Sequence, residues 1–227
     1  MKTILVTALS LATACSVPAF CSTVDFNSPT GTLGHSQTYG GITAYGFYSD
    51  CSDADAQCSG YNWRTNTYSD TNALLYGKNA TGGESGVGIS GNSDNEIDDS
   101  SFVQLTGFNS SSISLSIGST QSNQDFQVYG SNTLGSLGTL LANYTTPGSD
   151  PFSTGLFSTS GYTYISVTTN GTGEYVNHNN RDVDSNDNVL LDSLTTAPAA
   201  TPEPSSLVLL LTGMVGAAGA VRRKLMA

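Results

Sequence analysis

Along the middle of this chain, apolar residues alternate with serine and threonine at a period of two. The clearest runs are Ser112-Ile113-Ser114-Leu115-Ser116-Ile117 and Tyr162-Thr163-Tyr164-Ile165-Ser166-Val167. Successive side chains on a strand point to opposite faces, so such a run buries one face and wets the other. The same pattern predicts strands at Thr23–Phe26, Ile42–Phe47, Phe102–Leu105, Asp125–Tyr129, Leu137–Tyr144 and Val189–Leu194. Between the two ends no window holds apolar residues at helical spacing with caps. Gly, Asn, Asp and Pro separate the runs, as turn chemistry requires. The expected fold is therefore all-β: an antiparallel β-sandwich or jelly roll of about eight to ten strands, with a barrel less favoured. Ser49–Thr71, Asn79–Ser101 and Asn170–Asn188 read as three long polar loops. No internal repeat is evident.

The two ends follow different patterns. Lys2 precedes an apolar stretch from Ile4 to Ala14 and then small residues, the layout of a secretory signal peptide over residues 1–22. Val17-Pro18-Ala19 offers cleavage before Phe20, with cleavage after Cys21 or Ser22 as alternatives. A lipoprotein signal, with Leu11-Ala12-Thr13-Ala14 before a lipidated Cys15, is the rival reading. Residues 23–196 then form the β domain, and 197–201 a Pro/Ala linker. Beyond it come Pro202, Glu203 and Pro204, a 17-residue run from Ser205 to Val221 expected to be a hydrophobic helix, and Arg222-Arg223-Lys224. A membrane-spanning helix takes about 20 apolar residues, so this run is short. Gly213, Gly216 and Gly219 inside it weaken a helix in water but are tolerated in lipid. The three cations would stay cytoplasmic, which faces the body outward. The prolines hold the approach extended and open to a processing enzyme.

This tail resembles the PEP-CTERM sorting signal of Gram-negative bacteria, which an exosortase recognises and processes. The resemblance covers residues 202–227 and rests on Pro202, Glu203, Pro204, the apolar run, and Arg222, Arg223 and Lys224 in that order. It implies an exosortase partner, transient residence in the inner membrane, and release to the cell surface or beyond. A permanent anchor that is never cut is the alternative. Within the body, Asp25-Phe26-Asn27, Gly86 to Ile89 with Asp94-Asn95-Glu96-Ile97, Phe102-Val103-Gln104-Leu105 and Val189-Leu190-Leu191-Asp192 resemble pieces of many PEP-CTERM proteins. That implies an exported all-β domain and lends no established activity.

Charge narrows the partners. The full chain carries −11, but four of its seven cations, Lys2, Arg222, Arg223 and Lys224, lie in the end segments. Arg64, Lys78 and Arg181 are left to face seventeen acids. So acidic a body repels nucleic acid. Cys51 and Cys58 close a short loop, and in an oxidising compartment they read as one disulfide. Zinc would need more ligands, and the two histidines, His35 and His178, are far away in sequence.

The acids suggest calcium, which takes six to eight oxygens. Asp94, Glu96 and Asp98, followed by Asp99, offer carboxylates two residues apart. Asp182, Asp184, Asn186, Asp187 and Asn188 begin like an EF-hand loop, but Asp187 stands where Gly is needed and Ser193 where Glu is needed. Asp50, Asp53 and Asp55 read as plain surface. Jelly rolls commonly set their first and last strands side by side, so Asp25 and Asp192 could share an ion. Solvated acidic surface is the favoured alternative for each set. No cofactor is required, and structural Ca²⁺ is the one these residues suggest.

Tyr61 and Trp63, in a stretch that also holds Tyr39, Tyr45, Tyr48 and Tyr68, could stack on sugar rings or simply pack. No nucleophile elbow occurs, and neither histidine sits in a metal or triad motif. No residue is singled out as catalytic, and carboxylates abound without a distinguished pair. The sequons at Asn79, Asn109, Asn143 and Asn170 are what an Asn/Thr-rich chain yields by chance. The expectation is a non-catalytic exported surface or matrix protein associated with exopolysaccharide. A lectin-like module and a secreted glycosidase are the alternatives.

Overall fold

The computed structural model describes residues 21–49, 59–62, 67–70, 72–79, 84–91, 94–169, 188–197, 210, 212–214 and 222. The β unit spans Cys21–Ala197; residues 1–20 and 198–227 form a separate unit. Of the latter, Leu210, Thr212, Gly213, Met214 and Arg222 are described, and they are helical and exposed. No helix among the described residues is long and apolar enough to cross a membrane.

The strands are β1 (Ser22–Asp25), β2 (Gly31–Gly34), β3 (Ser36–Tyr39), β4 (Ile42–Tyr48), β5 (Ser59–Asn62), β6 (Thr67–Asp70), β7 (Asn72–Ala73), β8 (Leu75–Asn79), β9 (Ser85–Ile89), β10 (Ser101–Thr106), β11 (Ser112–Gly118), β12 (Ser122–Ser131), β13 (Thr139–Pro147), β14 (Phe152–Ser153), β15 (Phe157–Ser158), β16 (Tyr164–Thr169) and β17 (Leu190–Thr196). They make two antiparallel sheets, consistent with a β-sandwich. One runs β14-β11-β17-β9-β8-β2, with β1 also on β17 and β15 also on β11. The other runs β13-β12-β16-β10-β4-β3, with β7 also on β4; β5 and β6 pair separately. Each of the eight strands expected from period-two patterning has its counterpart: β1, β4, β10, β11, β12, β13, β16 and β17.

The alternation works as its chemistry demands. In β11 Ile113, Leu115 and Ile117 are fully buried while Ser112, Ser114 and Ser116 are half-buried. Their partners in β17 are Thr196, Leu194 and Leu191, and Val103, Leu105, Val128, Ile165 and Val167 join the same core from the second sheet. Burying each such side chain contributes about 1.5–3 kcal/mol. Aromatics fill the wider gaps: Phe26 meets Tyr39 edge-on at 5.0 Å, and Phe126 stacks on Tyr144 at 5.0 Å.

Gln104 is fully buried outside that core. Its Nε2 donates to the Ser136 carbonyl at 2.9 Å and to Ser166 Oγ at 3.0 Å. Its Oε1 accepts the Gly135 N–H at 2.8 Å. One amide thus ties the 132–138 loop to β10 and β16. That loop also lies against Phe47, whose ring stacks on Phe102 at 5.2 Å.

β17 is interior to its sheet. It has β11 on one side, and on the other β1 along its later half and β9 along its earlier half. The first and last strands of the unit therefore lie side by side, and the Phe26 N–H extends their ladder to the Asp192 carbonyl at 2.8 Å.

Candidate functional site

The site begins with two glycines. A Cβ on Gly86 would stand 2.5 Å from the Leu191 carbonyl oxygen, and one on Gly88 would stand 2.3 Å from that of Asn95. No side chain fits there. The gaps let β17 pair closely beside β9 and the 94–97 segment pack against it. Ile97 then forms a bridge with Val189, each donating its N–H to the other's carbonyl, at 2.8 and 3.1 Å. Three short sequence pieces, Gly86–Ile89, Asp94–Ile97 and Val189–Asp192, are thereby gathered in one corner of the sheet. Phe26 joins them through Asp192.

Glu96 is carried by this packing to a buried position, 4% exposed. In β8, Leu75 and Gly77 are buried and Lys78 is half-buried. Lys78 Nζ donates to Glu96 Oε1 at 2.6 Å and to Glu84 Oε2 at 3.2 Å. Ser119 Oγ donates to Glu96 Oε1 at 2.9 Å. Beside them, Asn188 Nδ2 donates to Asp94 Oδ2 at 2.6 Å, and Gln124 Nε2 to the Asn188 carbonyl at 3.3 Å. The Gln121 N–H donates to Gln124 Oε1 at 2.6 Å. Asp94 Oδ1 is buried and accepts no hydrogen bond from the described residues. Together Lys78, Glu84, Asp94, Glu96, Ser119, Gln121, Gln124 and Asn188 line a pocket of about 190 Å³.

Backbone strain converges on the same place. The non-glycine residues with positive φ among those described are Asn95 (61°), Ser119 (60°) and Asn123 (66°). One lies between Asp94 and Glu96, one lines the pocket, and one sits beside Gln124. Such conformations cost energy and persist where surrounding structure dictates them.

The electrostatics follow from burial. Burial pushes the Glu96 carboxyl above its ordinary range. Hydrogen bonds from Lys78 and Ser119 and the Lys78 charge offset part of that rise, while the nearby Asp94 charge adds to it. Burial pulls Lys78 down, but its hydrogen bonds and charge contacts with Glu96 and Glu84 outweigh this and leave it raised. One cation faces three carboxylates, so the pocket is negative. Its walls donate and accept hydrogen bonds in about equal measure, which suits a small neutral or cationic polyhydroxyl group and disfavours an anion.

Of the residues expected to bind calcium, Asp94 and Glu96 share this pocket. Asp98 is turned elsewhere, accepting the Ser100 and Ser101 hydroxyls at 3.0 and 2.5 Å. Asp25 lies opposite Ser193 and is exposed. Asp192 lies next along the chain, at a bulge against β11, and its Oδ1 accepts the Ser85 hydroxyl at 3.2 Å. Among the described residues, no three His, Cys, Asp or Glu side chains converge to hold a metal.

Tyr61 lies in β5, opposite Tyr68 in β6. Trp63, Cys51, Cys58, Pro202, Glu203, Pro204, Arg223 and Lys224 lie outside the described residues. The sequence pattern missed Lys78, Glu84, Ser119, Gln121 and Gln124. A signal for Lys78 existed: it is one of three cations in a body of seventeen acids. Compared with known proteins, the chain matches no family model, no curated protein and no solved structure.

Proposed function

We propose that this is an exported, exosortase-processed surface or extracellular-matrix protein of a Gram-negative bacterium, non-catalytic and associated with exopolysaccharide. The observation that carries the proposal is the ordered tail: Pro202-Glu203-Pro204, an apolar run, then Arg222-Arg223-Lys224. An all-β unit spanning Cys21–Ala197 between the leader and this tail supports it. Terminal strands lying side by side favour the jelly-roll form of the fold. The tail holds the chain at the inner membrane until it is cut, and the body then passes to the surface.

The polar pocket around Lys78 and Glu96 favours a second reading, a carbohydrate-binding module. Hydroxyl groups would meet carboxylate and amide oxygens as acceptors and the Lys78 ammonium and amide N–H groups as donors.

The sorting proposal is tested on the full chain in a host with an exosortase. Mass spectrometry should find a mature C-terminus lacking Arg222 to Lys224, and Glu203→Ala should leave a longer, membrane-retained form. Mature protein that keeps those three residues overturns it. Binding of the purified protein to a glycan array separates the second reading from the first.

A further inference from the structure

We propose that the pocket around Lys78 and Asp94 takes a hexosamine with a free, protonated amine, its ammonium meeting Asp94 and its ring hydroxyls meeting the polar walls. This rests on the reading of the pocket as a carbohydrate site and narrows the ligand.

The ammonium follows from how the charges are shared. Lys78 Nζ is already divided between Glu96 Oε1 at 2.6 Å and Glu84 Oε2 at 3.2 Å. Asp94 has no cation beside it among the described residues. Its Oδ2 accepts from the neutral Asn188 amide at 2.6 Å, and its buried Oδ1 accepts nothing from those residues. A buried carboxylate oxygen without a donor is costly, and a charged donor satisfies it best. An ammonium on the ligand supplies that donor and offsets the excess of acid in the pocket. A divalent ion would instead have to displace Lys78 from Glu84 and Glu96.

The hydroxyls follow from the walls and the size. Ser119, Gln121, Gln124 and Asn188 complete the lining and bring groups that both donate and accept. A bare cation would leave them unused. The pocket holds about 190 Å³. Liquid water takes about 30 Å³ a molecule, so about six waters fill it, the bulk of one sugar ring and not of a chain. The whole chain agrees in sign, since a charge of −11 draws a cationic polysaccharide and repels an anionic one. The partner this selects is an exopolysaccharide carrying hexosamine units with free amines.

Titration calorimetry of the full chain, held in a zwitterionic detergent free of sugar, is the test. The probes are the methyl glycosides of glucosamine, N-acetylglucosamine and glucose, which share one ring and differ in one substituent. The glucosamine glycoside should bind about tenfold more tightly than the other two, the margin that one hydrogen bond to a charged group supplies. Asp94→Asn keeps an oxygen for Asn188 and removes the charge, so it should abolish that preference while the melting temperature holds. Asp150→Asn, which removes the same charge at an exposed position outside the pocket, should keep the preference. Ethylamine, an ammonium without hydroxyls, should bind more weakly than the glucosamine glycoside. Equal affinity for the three glycosides overturns this proposal and leaves the carbohydrate reading standing. A preference that survives Asp94→Asn overturns it as well, and so does ethylamine binding as tightly as the amino sugar. No binding of any glycoside removes both readings.

Discussion

Lys78 Nζ lies 2.6 Å from Glu96 Oε1, with the two side chains 17% and 5% exposed. A pair this far from water is costly to break, because removing one partner strands the other charge. Lys78→Met should therefore cost on the order of 3 kcal/mol in chemical denaturation at neutral pH. The deficit should shrink in acid. Glu96 already titrates above its ordinary value of 4.5. A group raised on folding contributes stability at pH below its unfolded value and loses it as pH climbs through the folded one. Without Lys78 the carboxyl rises further, and once protonated it needs no counter-charge. A deficit that stays constant from pH 7 down to pH 4.5 would show that the pair is not what Lys78 supports.

Tyr39 tests burial more simply. Its hydroxyl is buried without a hydrogen-bond partner among the described residues, and burial pushes its pKa from 10.0 up to about 12. The folded chain therefore holds this proton where the unfolded chain has lost it. The contribution is fully present below pH 10.0 and is lost as pH rises towards about 12. Tyr39→Phe keeps the edge-on contact with Phe26 and drops the orphan hydroxyl. It should match or exceed the wild type by up to about 1 kcal/mol at pH 7, and lose less stability in alkali. A clear loss at pH 7 would mean the hydroxyl has a partner.

Gly88→Ala should cost about 2–4 kcal/mol, because the new methyl meets the Asn95 carbonyl and the Glu96 Cα rather than a flexible side chain. The displaced segment carries Glu96, so the acid-dependent behaviour of the Lys78 pair should change in the same variant. Wild-type stability on thermal denaturation would show that the two segments part at no cost.

Chelation separates the acids' possible roles. Asp25 and Asp192 bring two carboxylates to adjoining strands with no third acid beside them among the described residues. If they share an ion, as the sequence suggests, excess chelator should lower the melting temperature by several degrees. A bound ion at one hundred times Kd adds about 2.7 kcal/mol, worth several degrees. Asp192→Asn should remove most of that sensitivity, and a melting curve unchanged by chelator would leave the acids as solvated surface.

The sequence made the strongly alternating strands legible, and its silence elsewhere has physical causes. β11 and β4 advertise themselves because one face is apolar and the other polar. β9, inside a stretch that reads as an acidic loop, does not. It reads Ser-Gly-Val-Gly-Ile, and glycine ordinarily argues against a strand. Here Gly86 and Gly88 leave room for two other backbones, those of Leu191 and Asn95, to come up close, a tertiary fact with no local trace. The adjacency of Asp25 and Asp192 was foreseeable from the order of strands; the bulge at Asp192 was not. The pocket is harder still. Lys78, Glu84, Asp94, Ser119 and Asn188 come from five separate segments, and only register brings them together.

The position of β17 also sets a timetable. It is the last strand to leave the ribosome, yet it occupies the middle of its sheet, between β11 and the pair β1 and β9. Until residue 197 has emerged, that sheet lacks its centre, and β1 waits for a partner at the far end of the chain. Long-range pairing of this kind is slow and cannot begin early. The growing chain is thus kept from closing prematurely. A polypeptide that must be threaded through a narrow channel before folding gains from this order, because the sheet built around β17 cannot close until the whole body is through.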